Sequence, residues 1–105
     1  MKIIRLKAVK ADNFWDKCVG LIGKDENTCL YLETRFGLHT FGMRHIIDIL
    51  ILDKKDIVSK IKISLSPNRF FFWKPVYYKV LELPSGLVSK KSIQFGDRIN
   101  LKFLH

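Results

Sequence analysis

A mainly β fold is predicted for this 105-residue chain: a small antiparallel β-barrel or sandwich of six to seven short strands, one helix in the N-terminal half and one short helical turn. Three observations predict it. Apolar and polar residues alternate over residues 2–9 and 98–104, the period of half-buried strands. The longest apolar run, broken only by Asp48, leads into Asp53-Lys54-Lys55-Asp56 and then a second alternating run, the pattern of a hairpin. Strands follow one another through hairpins and irregular loops rather than helices, which argues for antiparallel pairing. A chain of this length is expected to form one domain over residues 1–105, burying about two-thirds of its unfolded surface.

The elements are justified in order. Over residues 2–9, Ile4, Leu6 and Ala8 share one side, while Ile3 faces with Arg5. Asp12 and Asp16 suit a helix N-terminus, where carboxylates meet the positive end of the dipole. Trp15, Cys18, Val19 and Ile22 then form one apolar face, and Gly23 ends the helix. Residues 29–32 read as a short strand. Residues 36–44 read as an irregular strand or loop, with Gly37 and Gly42 bracketing His39-Thr40-Phe41.

The hairpin turn decides which side chains share a face. A two-residue loop pairs Leu52 with Ile57 and sets Asp48 beside Ile61, a carboxylate among apolar groups. A type I turn plus bulge, with Asp56 in the left-handed region, shifts the pairing by one. It sets Ile47, Ile49 and Ile51 beside Ile63, Ile61 and Ser59, with Asp48 opposite Lys62 and Leu50 opposite Lys60, and this is the register expected. Pro67 ends the second strand, and residues 70–73 form a loop of four consecutive aromatics. Residues 76–83 make another strand, closed by Pro84-Ser85-Gly86. One helical turn occupies residues 87–92, and Phe95-Gly96-Asp97 turns tightly into the last strand.

Charge and composition bound the function. The net charge of +9 is lopsided: +2 over residues 1–52 and +7 over residues 53–105. Such an excess admits a polyanionic partner. Lys outnumbers Arg fourteen to five, however, and Lys lacks the planar fork that reads phosphates and bases. A solvated lysine surface is therefore preferred to nucleic-acid binding. No apolar stretch approaches the ~20 residues that span a bilayer. Arg5, Lys7 and Lys10 interrupt the N-terminal apolar residues, unlike the unbroken run of a signal peptide. The expectation is a soluble cytoplasmic protein, a monomer or weak dimer without membrane contact. Cys18 and Cys29 match no zinc or redox spacing and are expected to be reduced core residues.

Four segments follow one another in a recognisable order. They are Val19-Gly20-Leu21-Ile22-Gly23-Lys24; His39-Thr40-Phe41-Gly42-Met43-Arg44 with Asp48 and Leu52-Asp53; Leu81-Glu82-Leu83-Pro84-Ser85-Gly86; and Ile93-Gln94-Phe95-Gly96-Asp97-Arg98. The succession resembles the bacterial and archaeal family catalogued as domain of unknown function 192, over residues 15–99. The resemblance implies a compact β-rich domain and implies no reaction, because the family's function is not established. Two departures stand out. His45-Ile46-Ile47 replaces the family's usual Phe-Pro-Ile, which frees a backbone N–H, and the hairpin turn carries Lys55-Asp56 where Asp-Gly or Asn-Gly is common.

Candidate site residues are His39, Thr40, Met43, Arg44, Asp48, Arg69 and Glu82. They read as a pocket for a small molecule or protein partner in a non-enzymatic module, or as a buried polar network whose charges pair for structural reasons. A metal-assisted hydrolase using His39, Asp48 and Glu82 is the enzymatic alternative, although no metal-binding motif is present and no metal or cofactor is expected. The run Phe70, Phe71, Phe72 and Trp73 either covers an open end of the fold or forms a stacking platform beside Arg69 and Lys74 for single-stranded nucleic acid. As nucleophiles, Cys18 sits on an apolar helix face and Ser85 lacks a strand-to-helix elbow, so neither is favoured.

Overall fold

In the computed structural model, residues 1–10, 28–35, 37–41, 43 and 45–104 are described. Eight strands and one helix occur among them: β1 (Ile3–Lys10), β2 (Thr28–Glu33), β3 (Gly37–His39), β4 (Ile47–Leu52), β5 (Val58–Leu65), β6 (Phe70–Phe72), β7 (Lys79–Pro84), α1 (Leu87–Lys90) and β8 (Arg98–Phe103). The helix expected from Asp12, and Cys18 with it, lies outside the described residues. The two strands beyond the lower expectation are β3, in a segment expected as an irregular strand or loop, and β6, in one expected as a loop. They pair with each other, antiparallel, Gly37 with Phe72 and His39 with Phe70.

The remaining six strands form one sheet in the order β5-β4-β7-β2-β1-β8. Expected to be antiparallel, it is mixed. β1 runs parallel to β2, with Ala8 opposite Cys29, and parallel to β8, with Leu6 opposite Leu101. Parallel neighbours need a crossover of about a dozen residues or more. Residues 11–27 are long enough for one, and β8 reaches β1 from the far end of the chain. Ile57, just before edge strand β5, forms an isolated antiparallel bridge with Arg98 at the start of the other edge strand, β8. No closed barrel forms among the described residues.

Burial follows what covers each strand. β1, next to edge strand β8, keeps the alternation its sequence shows, whereas β4, next to edge strand β5, is covered on both faces and all six of its residues are buried. Its first face carries Leu50 and Leu52 with Leu81, Leu83, Ile4, Leu6, Ile99 and the α1 residues Leu87 and Val88. Its second face carries Ile47, Ile49 and Ile51 with Leu30 and Val80, under Leu38 of β3, Phe71 of β6 and Trp73. The small β3–β6 sheet is therefore the cover of the second face.

The β4–β5 hairpin turns as expected and then departs from the expected register. Asp56 is left-handed, with φ of 64°, and the Asp53 carboxylate accepts the Lys55 and Ile57 N–H groups at 2.8 and 3.0 Å. Leu52 pairs with Val58, the predicted match. One extra residue in β5 then moves the pairing, so that Ile51 meets Lys60, Leu50 meets Ile61 and Ile49 meets Lys62. This bulge takes Ile63 out of the core, to 53% exposure, where the uninterrupted register had placed it inside. Further along, Ser64 takes a φ of 56° before Leu65 returns to pair with Ile47.

Candidate functional site

Thr40 anchors the segment from His39 onward. It is fully buried, and its hydroxyl gives its proton to the Ser66 carbonyl at 2.7 Å while accepting the Arg69 N–H at 2.8 Å. Its own N–H donates to the Arg69 carbonyl at 2.8 Å, and its carbonyl accepts the Asn68 N–H at 3.0 Å. Thr40 thus pins the loop before β6 to the end of β3, which is a structural duty. Arg69 is exposed and joins the cluster through its backbone. Met43 is buried against Leu38, Phe71 and Trp73. Arg44 lies outside the described residues.

Asp48 and Glu82 belong to adjacent strands and opposite faces. In the β4–β7 register Asp48 is level with Leu83 and Ile49 with Glu82, so period-two alternation sends the two carboxylates to opposite sides of the sheet. Both are buried. One ion cannot touch both through the sheet, and no group of three or more His, Cys, Asp or Glu among the described residues could hold a metal. Asp48, expected opposite Lys62, meets backbone N–H groups among the described residues. Its Oδ1 accepts the Ser64 N–H at 2.9 Å, and its Oδ2 accepts the Gly86 and Val88 N–H groups at 3.0 and 3.4 Å. The carboxylate ties Ser64, at the irregularity near the end of β5, to the turn from β7 into α1.

The aromatic run divides by strand alternation. Phe71 and Trp73 are 8% and 7% exposed and face the core, with the Trp73 indole N–H donating to the Tyr77 carbonyl at 2.8 Å. Phe70 and Phe72 are 59% and 62% exposed on the outer side. Their rings lie 5.8 Å apart and within 11° of parallel, and Phe41 meets Phe70 edge-on at 5.0 Å. His39 stands 5.2 Å from the Phe41 ring. Gly37 holds this surface in place: a Cβ there would lie 2.6 Å from Phe72 Cδ1 and 2.7 Å from the Phe71 carbonyl oxygen. Lys60 crosses from β5 to donate to the Phe72 carbonyl at 3.1 Å.

Sequence reasoning missed Phe41 as a partner of the run, and missed a second feature on the first face. A cleft of about 480 Å³ opens there between β1, β2, β7 and β8, lined by Lys10, Tyr31, Asp56, Lys79, Arg98 and Phe103 among others. Its lining comes from distant parts of the chain, and no local motif announces it. The Tyr31 hydroxyl donates to Glu33 Oε2 at 2.7 Å. Burial, with Glu33 beside it, pushes the phenol far above its ordinary range, so it stays protonated.

Comparison with known proteins gives a consistent placement. The family model described as "DUF192: Uncharacterized ACR" matches residues 2–101. The UPF0127 protein PF1050 of Pyrococcus furiosus is 32% identical over 104 residues, 93% of this chain and 89% of the relative. Two crystal structures share the fold. A protein of unknown function from Novosphingobium aromaticivorans has a TM-score of 0.67 at 14% identity, over 85% of this chain and 69% of its own. A proposed transcription regulator from Sinorhizobium meliloti 1021 has a TM-score of 0.70 at 16% identity, over 87% and 76%.

Proposed function

We propose that the chain, which belongs to the DUF192 family, is a non-enzymatic binding module whose contact surface is built by His39 and Phe41 together with Phe70 and Phe72. The observation that carries this reading is the pair of near-parallel rings of Phe70 and Phe72, each more than half exposed. Apolar rings left in water cost free energy, and here a glycine at position 37 lets one of them sit against the backbone rather than fold away. Exposed Arg69 and Lys74 flank β6, and exposed Lys60 reaches it from β5, two residues from exposed Lys62. Flat apolar rings within a basic rim suit a single-stranded nucleic acid, whose bases stack while its phosphates meet the cations. The same reading takes residues 1–105 as one cytoplasmic domain, monomer or weak dimer. The Ile57–Arg98 bridge supports a sheet curled toward a barrel.

Titration of a fluorescently labelled oligothymidylate, followed by anisotropy at several salt concentrations, tests the reading. Stacking is worth about 1–3 kcal/mol per base, so F70A/F72A should weaken binding by at least about tenfold. Both side chains are exposed, so the circular dichroism spectrum should be unchanged. Failure to bind, or binding that the double substitution leaves intact, overturns the proposal. An equal affinity for polyglutamate would show that charge alone attracts the ligand, and would also overturn it.

A further inference from the structure

The cleft on the first face is built by side chains that hold one another in place. Lys79 Nζ lies 3.0 Å from Asp56 Oδ1. Glu33 stands directly opposite Lys79 in the β2–β7 register and accepts the Tyr31 hydroxyl. The Tyr31 ring meets the Phe103 ring edge-on at 5.4 Å, and Lys10 Nζ lies 5.1 Å from the Phe103 centroid. Polar groups and an aromatic wall therefore converge, in a volume at the lower end of the roughly 300–1,000 Å³ usual for small-molecule sites.

Charge within the cleft is unequal. Lys10, Lys79 and Arg98 line it, with Asp56 the one lining carboxylate. Asp56 is engaged by Lys79, and Glu33, just behind, by Tyr31. Arg98 has no side-chain hydrogen bond or ion pair among the described residues, and a guanidinium offers the planar fork that takes a carboxylate on two donors.

The free edge of β8 adds backbone donors. A parallel strand sends alternate residues to alternate neighbours. The Arg98 and Leu104 N–H groups go to the β1 side, to the Lys2 and Ala8 carbonyls, while the Ile99 N–H goes the other way, to Asp56. By the same alternation the N–H groups of Leu101 and Phe103 point to the open edge, beside the cleft that both residues line.

We propose that this cleft binds a small organic carboxylate with an apolar body. Its carboxylate meets Arg98 and the open β8 edge, and its body lies against Leu101 and Phe103. An inorganic anion satisfies only the charge, and an uncharged molecule only the wall.

The test uses ¹⁵N-labelled full-length protein and amide shift titrations with four probes: benzoate, acetate, benzyl alcohol and inorganic phosphate. Benzoate should shift the Leu101 and Phe103 amides with saturation, at an affinity at least tenfold above each of the other three. R98Q, at an exposed position, should weaken benzoate at least tenfold with the rest of the spectrum unchanged, and F103A should weaken it without changing the response to phosphate. Shifts elsewhere only, no saturation, or an unaltered titration in R98Q would overturn the proposal. A stronger response to phosphate than to benzoate would overturn the carboxylate assignment. None of these readouts depends on the aromatic surface of β6.

Discussion

Replacing Asp48 with Asn asks whether this residue is a strut or a ligand-binding group. The carboxylate is 1% exposed and accepts the Ser64, Gly86 and Val88 N–H groups. Asn keeps the size and one acceptor oxygen, and turns the other position into a donor. If the oxygen stays with Ser64, the amide NH₂ opposes the Gly86 and Val88 N–H groups. A hydrogen bond to a charged group is worth about 1.5–3 kcal/mol, and a buried donor left without an acceptor costs about 1–3 kcal/mol. The Val88 contact at 3.4 Å is long, so most of the loss comes through Gly86. Summed conservatively, D48N should cost about 3 kcal/mol. A chain near 100 residues loses roughly 4–8 °C in Tm per kcal/mol, which gives a fall of about 12–24 °C. Urea unfolding followed by circular dichroism should show a lower midpoint with an unchanged slope. Amide exchange should quicken at Ser64, Gly86 and Val88 before it does so elsewhere. A loss below about 1 kcal/mol, or protection unchanged at those three amides, would refute the reasoning and return Asp48 to the list of binding residues.

Three further outcomes are expected. G37A brings a Cβ to 2.6 Å from the Phe72 ring and 2.7 Å from the Phe71 carbonyl; it should cost about 1–3 kcal/mol in thermal unfolding and weaken any binding through Phe72. I63S should be neutral within about 0.5 kcal/mol, whereas I49A should cost about 2–5 kcal/mol, the reverse of equal losses that an uninterrupted hairpin register would give. The pH limits follow from two groups. Burial would raise the Asp97 carboxyl, but N–H groups of Gln94 and Lys2 and the Lys2 charge outweigh it and hold it low. That contribution is present above the unfolded value of about 3.9 and lost as pH falls through the folded one, so D97N should flatten the acid limb of a stability–pH curve. The raised Tyr31 phenol acts oppositely: its contribution is present below the unfolded value of about 10 and lost as pH rises further, so Y31F should weaken the alkaline decline.

Much of the local structure was legible because it is decided by near neighbours. Period-two alternation placed β1, β5 and β8, the long apolar run placed β4, the run after Pro75 placed β7, and Asp53 to Asp56 gave the hairpin turn with its left-handed fourth residue. Pro84-Ser85-Gly86 gave the turn before α1, where Gly86 has a φ of 91°. Among the candidate site residues, Asp48 and Thr40 were recognisable as polar groups in apolar surroundings. Their partners were not, because each bonds to backbone that arrives from elsewhere: residues 64 and 86–88 for Asp48, residues 66–69 for Thr40.

The sequence by itself determined which residues extend, where they turn and, through the family segments, which family this is. Tertiary structure decided how those pieces meet. It set β1 parallel to two neighbours, and it divided four consecutive aromatics into two core residues and two surface ones once β6 had a strand to pair with. Asp48 and Glu82 were separated onto opposite faces by the β4–β7 register. The cleft of Tyr31, Lys79, Arg98 and Phe103 was assembled from strands that the chain does not connect in succession. The physical reason is common to all of these. Backbone preference and turn chemistry act over a few residues, whereas strand order, bulges and register are fixed by pairing and burial between segments tens of residues apart, where no local pattern reaches.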